Sequence, residues 1–398
     1  MTYRELSDAY RPVFAEIGAG ALQRELDREL PRAAVDLLKR SGFTGVRVPV
    51  EFGGRGASLP DTFRLLVDLA AADPHVPQAL RGHLAFVEDR LNVPASVERD
   101  EWLARFAAGE LVGNAVTEIG SVALGDTTTR LTEHDGGYAI SGRKYYTTGS
   151  IFAEWIDATA LAPDGTEVAA LVATESDAVQ VSDDWTGFGQ RLTGSGTTVF
   201  SRAPVRAEHI YPFHERFAYQ TAHYQLVLVA VQAGIARASA RDAAEQVATR
   251  ARAFSHGNAT ETRHDPQILE IVGRIDAAAF AAEAIVARAA EYLQLAYEAR
   301  DAAPEVRDAA KREAELAVAR AQVAVSPLAT AAATELFDAL GASATSTSLA
   351  LDRHWRNART VASHNPVAFK ARIIGDAAVN DTEPPYEWSI GVPKRSTA

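Results

Sequence analysis

Residues 351–366, LDRHWRNARTVASHNP, crowd hydrogen-bonding side chains into one short segment. Arg353, Arg356, Asn357, Arg359, Thr360, Ser363 and Asn365 surround two of the chain's ten histidines, His354 and His364. Residues three, four and seven apart share a helix face, so Arg353, Asn357, Thr360 and His364 fall on one stripe. Pro366 biases Asn365 away from helical geometry, which ends the helix and sets His364 in its last turn. Free carbonyls collect there. An imidazole beside them is pre-set to donate a hydrogen bond, and its cation is favoured by the helix dipole. Such a stripe could aim a proton donor at a ligand. The same residues would also suit a solvated or interface face, with His364 as a cap.

Other familiar chemistry is missing. No G-x-G-x-x-G follows a strand, and there is no P-loop or H-E-x-x-H, so no metal-ligand spacing is visible. TGSGT (193–197) lacks the spacing of a nucleophile elbow. The chain has no cysteine, which excludes disulfides, thiol nucleophiles and cysteine-held zinc or iron–sulfur centres. A net charge of -12 argues against a nucleic-acid or anionic-membrane partner. MTYRELSDAY lacks the apolar core of a signal peptide, and no apolar run reads as long enough to span a bilayer. The expectation is a soluble cytoplasmic protein.

Three blocks must position the polar segment. With 398 residues and 47% apolar content, the chain can bury a large core. Residues 1–110 read as helical: Leu22, Leu26 and Leu30 are spaced by four, and Ala34, Leu37 and Leu38 continue a buried stripe past Pro31. VPVEFGGRGASLPD (48–61) is a connector that leaves Asp61 to cap the next helix. Residues 111–210 alternate apolar and polar positions around Asp135-Gly136-Gly137 and Asp164-Gly165 turns, a β domain. Residues 211–398 are helical again, with Asp265-Pro266 and Pro304 opening long Ala-rich helices suited to close packing.

VPVEFGGRGASLPD, NAVTEIG, GRKYYTTG and GSGTTVFSRAPV, in this order, resemble the acyl-CoA dehydrogenase superfamily over essentially the whole chain. LDRHWRNARTVASHNPVAFKARIIGDAAVN, with GNAVTE, resembles that superfamily's branch of flavin-dependent monooxygenases acting on dibenzothiophene, sulfones and sulfinates. The resemblance implies an α+β fold: an N-terminal helical domain, a central β-barrel-like domain and a C-terminal four-helix bundle, assembled as a homotetramer. It also implies reduced FMN, delivered by a separate NAD(P)H-dependent flavin reductase. Oxygen would add to it as a C4a-hydroperoxyflavin that oxygenates a small, organosulfur substrate.

By the same resemblance, Asn114 and Thr117 line the flavin ring, Tyr146 lies against it, and Thr148 places a hydroxyl beside flavin N5. Trp185 is an aromatic of the pocket. Arg252, with Arg250 as its rival, meets the flavin phosphate of a neighbouring subunit. His364, beside Ser363, stabilises the hydroperoxide, and His83 is a second active-site histidine. A hydroperoxide needs a dry site and a donor on its oxygens, and a phosphate needs charge-assisted donors. His83 and Trp185 would equally suit plain core packing. Three alternatives stay open: an FAD-dependent acyl-CoA dehydrogenase, a flavin-dependent N- or C-hydroxylase of a biosynthetic pathway, and a flavin-free helical scaffold. The first needs a glutamate base, and Tyr386-Glu387-Trp388 is not the family's Tyr-Glu-Gly motif.

Overall fold

Capping chemistry sets where the first helices begin. The computed structural model describes residues 1–119 and 127–387. In it Thr2 caps α1 (Tyr3–Ala19), and Glu5 completes the box by accepting the Thr2 N–H at 2.7 Å. Helices α2 (Ala21–Asp27) and α3 (Arg32–Ser41) follow. The expected stripe through Leu22 and Leu26 is not buried; both are exposed. Glu25 is the buried residue of α2, so the helix turns its Leu22–Leu26 face outward; Arg28 then turns left-handed at φ 55° and ends α2, and in α3 Ala34, Val35 and Leu38 are buried. Helix α4 (Leu59–Ala72) is capped by Ser58 and not by Asp61. Asp61 sits two positions into the helix, donating its N–H to Ser58 Oγ at 3.1 Å and accepting the Ser58 hydroxyl at 2.7 Å. Helices α5 (His75–Ala79), α6 (Arg81–Asn92) and α7 (Val97–Ala107) complete this layer.

The central sheet contains β1 (Val112–Ala115), β2 (Arg130–His134), β3 (Gly137–Lys144), β4 (Trp155–Leu161), β5 (Glu167–Ala173), β6 (Val179–Val181), β7 (Thr198–Val205) and β8 (Ile210–Pro212). Its order is β6-β7-β3-β2-β4-β5-β8, with β1 added in parallel to β4 so that Asn114 lies opposite Asp157. A single parallel bridge, Arg130 to Leu161, links β2 to β4, so two antiparallel halves meet there. The Asp135-Gly136 and Asp164-Gly165 turns fall between strands, as the pattern predicts. Asp135 and Gly136 both take positive φ, 48° and 78°, the geometry a two-residue hairpin needs.

The third layer is α8 (Gln220–Thr249), α9 (Pro266–Glu298) and α10 (Pro304–Leu340), packed on one another and on α4, with α11 (Asp352–Ala362) and α12 (Val367–Asn380) against α10. Asp265 caps α9 with Pro266 at its first position, as expected. Buried Ala282, Ala289, Ala290, Ala314 and Ala321 let these helix backbones approach closely. One sequence expectation needs correction: α10 is long and apolar enough to cross a membrane by length and hydropathy alone, with a mean hydropathy of 1.3 in its richest window. That window is 61% buried, because α10 is the helix the bundle packs around.

Candidate active site

Two close approaches join the layers where the polar side chains gather. Gly149 takes φ +80°, and a Cβ there would lie 1.9 Å from the Ala79 carbonyl at the end of α5. Gly82, in the first turn of α6, leaves room for Asn114 of β1, whose Oδ1 would be 2.8 Å from an added Cβ. The corner between α5 and α6 is thereby pressed onto β1 and the 147–150 turn.

Thr148 opens a chain of hydroxyls. Its Oγ1 is 2.7 Å from Ser195 Oγ, which is 2.6 Å from Thr193 Oγ1, and Thr193 donates to the Gln190 carbonyl at 3.0 Å. Each hydroxyl has one proton. Thr193 spends its proton on Gln190, Ser195 must donate to Thr193, and Thr148 then donates to Ser195 at 2.7 Å, with the Tyr146 carbonyl a longer second acceptor at 3.4 Å. The Thr148 oxygen is left with lone pairs for an N–H. Gln190 continues the chain to α11, since its N–H donates to Asn357 Oδ1 at 2.6 Å.

The polar segment divides into scaffold and site. Asp242 of α8 accepts from Arg353 at 2.5 Å and lies 2.8 Å from His354 Nε2. Burial pushes the Asp242 carboxyl up, but His354 and Arg353 outweigh it and hold the group well below its usual range. Arg356 reaches Glu25 of α2 at 2.8 Å. These contacts anchor α11. Helix α11 stops at Ala362, so His364 stands just beyond the cap and not in the last turn; its N–H still bonds the Val361 carbonyl at 3.2 Å. Thr360 lies against Gly189, its Oγ1 2.5 Å from where a Cβ would be, while Ser363 donates to the Arg359 carbonyl at 2.9 Å and serves the helix end.

His364 meets Arg81, the first residue of α6, at 3.1 Å between Nε2 and Nη2. A guanidinium only donates, so Nε2 must accept. His364 is therefore neutral and carries its proton on Nδ1. Loss of solvent around the ring and then the Arg81 cation depress its pKa, although the residue as a whole is exposed. This changes the sequence expectation that the helix dipole favours the cation: loss of solvent, joined by the nearby guanidinium, decides.

The other predicted residues are spread around this centre. His83 is buried, with Nε2 2.9 Å from the Thr44 carbonyl and Nδ1 accepting the Val112 N–H at 3.3 Å. Both nitrogens are spent on the main chain. Thr117 bridges to Tyr145, and Tyr146 is exposed at φ 59° with its ring 5.7 Å from that of Trp185. Trp185 donates to the Gly189 carbonyl at 3.0 Å. Arg250 bonds the Leu340 carbonyl and stacks on Phe254 at 4.8 Å, whereas the exposed Arg252 guanidinium has no partner among the described residues. Glu387 is exposed, 3.8 Å from His214, and outside this constellation. Gly120 of the NAVTEIG motif and Trp388 lie outside the described residues.

The donor set suits a flavin. Among the described residues Asn114 Oδ1 is buried without a partner and the Arg252 guanidinium is unpaired and could take a phosphate; the Thr148 oxygen can accept, and the exposed Tyr146 ring lies beside the part-buried Trp185. Sequence reasoning missed Arg81, Ser195, Thr193 and Gln190. The signal for two of them was the TGSGT stretch, read only against a hydrolase template.

Residues 2–110 match the acyl-CoA dehydrogenase N-terminal domain and residues 226–369 the C-terminal domain. Dibenzothiophene monooxygenase of Mycolicibacterium goodii is 29% identical over 368 residues, 87% of each chain. The probable FMNH2-dependent monooxygenase SfnC of Pseudomonas putida is 28% identical over 94% of each. The structure of methanesulfinate monooxygenase MsuC from Pseudomonas fluorescens superposes with a TM-score of 0.85 at 26% identity, over 96% of this chain and 98% of that one. The chain belongs to the acyl-CoA dehydrogenase family and, within it, to the flavin-dependent monooxygenases.

Proposed function

We propose that this chain is the oxygenase of a two-component system that uses reduced FMN from a separate NAD(P)H-dependent reductase to oxygenate a small organosulfur compound. The observation that carries it is the pair of complementary groups: a Thr148 oxygen left as acceptor by its hydroxyl chain, and a neutral His364 left with a free Nδ1–H. Reduced FMN, when bound, supplies two electrons and activates O2, with one oxygen atom going to the substrate and the other to water. Thr148, with its oxygen left as an acceptor, would hold a ring N–H of the flavin. His364 would donate from Nδ1 toward the reacting oxygen and help keep it from being lost unused. Asn114 would orient a polar edge of the ring, with Thr117, Tyr146 and Trp185 as further lining. Arg252 would take the phosphate of a neighbouring subunit's FMN in a homotetramer. The units doing this are residues 1–110, 111–210 and 211–398.

The test is stopped-flow spectroscopy. Protein mixed with anaerobically reduced FMN and then oxygenated buffer should give a transient absorbance unlike that of oxidised or reduced flavin. Return to oxidised FMN at the free-flavin rate would refute the reading.

A further inference from the structure

Around α6 nearly every buried cation has a carboxylate. Arg47 pairs with Glu88 at 3.0 Å, Arg90 with Asp89 at 2.7 Å, and Arg216 with Asp157 at 2.9 Å. Arg81 is the contrast. It is 7% exposed and, unlike the others, forms no ion pair among the described residues; its Nε, like that of Arg90, has no hydrogen-bond partner there. Its neighbours are the Tyr224 ring, 5.1 Å from the guanidinium carbon, and His364. Neither neutralises it. An uncompensated buried guanidinium opposes folding, and burial depresses its pKa. It is also placed where the proposed oxygen transfer would occur: it touches His364, and the next residue, Gly82, abuts the unpartnered Asn114 Oδ1.

We propose that Arg81 anchors the acidic head of the substrate, so that the compound oxygenated is a small organic sulfinate and not a neutral sulfide or sulfone. The inference rests on the oxygenase reading above. A guanidinium matches two oxygens on one centre, as in R–SO2⁻. A sulfinate sulfur also keeps a lone pair that can accept oxygen, which a sulfonate has lost. The reaction balances as RSO2⁻ + FMNH2 + O2 → RSO3⁻ + FMN + H2O. The O–O bond breaks and an S–O bond forms. The sulfur and the flavin each give two electrons, and the flavin's two hydrogens leave in water. The charge on Arg81's partner is the same before and after.

Isothermal titration in a buffer without phosphate or carboxylate, with oxidised FMN present, tests this directly. Sodium methanesulfinate should bind the wild-type protein, and dimethyl sulfone should bind at least about tenfold more weakly. Arg81→Gln should lower methanesulfinate affinity by about tenfold or more and leave dimethyl sulfone unchanged, with Arg81→Lys between. A wild-type preference for the sulfone overturns the inference whatever the variants do. So does equal methanesulfinate binding by a folded Arg81→Gln protein. The stopped-flow transient separates the two readings. A transient without sulfinate binding removes only the Arg81 assignment, whereas sulfinate binding without a transient leaves an anion site and removes the oxygenase.

Discussion

His83 and His364 carry the same ring, and both titrate below the ordinary histidine range, largely because protein replaces solvent around them. The regions holding them differ in what they leave free. Under β1, the α6 ring of His83 spends one nitrogen on the Thr44 carbonyl and the other on the Val112 N–H, and packs edge-on to Phe106 at 5.5 Å. At the junction of α11 and α12, His364 spends only Nε2 among the described residues, on Arg81. A depressed pKa is common to structural and functional histidines. An uncommitted ring nitrogen separates them.

The largest expected effect is on stability, and it falls on one histidine only. His83→Ala removes a buried ring and orphans a carbonyl and an N–H, a loss of about 3 kcal/mol. His364→Ala truncates a residue that is exposed overall and should cost less than about 1 kcal/mol. Urea unfolding measures both, and equal losses would erase the distinction. The next effect runs the other way. His364→Ala should raise the fraction of flavin oxidation that ends as hydrogen peroxide by about tenfold, read by peroxide assay against product formed. A stabilised double check is His83→Gln, whose amide can copy both bonds and should leave coupling unchanged. Unchanged coupling in His364→Ala would remove its assigned role.

The same contrast shows what was readable beforehand. Helix openings written in proline, such as Asp265-Pro266 and Pro304, and hairpins written in Asp-Gly pairs, were legible because local chemistry decides them. The α2 stripe misled because a four-residue spacing marks a shared helix face without recording whether that face meets the core: Leu22 and Leu26 are exposed and Glu25 is the buried residue of α2. The polar segment was visible as a cluster, but not its division. Asp242, Glu25 and Gln190 lie from 110 to more than 300 positions away in sequence, and they decide which polar groups are scaffold. Arg81 was invisible for the opposite reason. Its significance is the lack of a carboxylate partner, which only the folded neighbourhood reveals.

The last effect is the pH dependence of stability, and its sign follows from the closed region. His83 is pushed down to about 4 in the folded protein, against about 6.5 when unfolded. Between those values the unfolded chain binds a proton that the native chain refuses, so stability falls as pH drops from 6.5 toward 4 and levels off below. Other groups act in the same window: His223 is also lowered to about 4, while Glu315 is raised to about 7 and pulls the opposite way. Subtracting the His83→Gln unfolding curves from those of wild type cancels these shared contributions. The difference should be flat above pH 6.5, with the wild type losing more stability than the variant toward pH 4. A difference that does not change between pH 7 and 4 would mean that the ring takes up its proton without breaking its bond to the Val112 N–H. The contrast between the spent and the uncommitted histidine would then lose its physical basis.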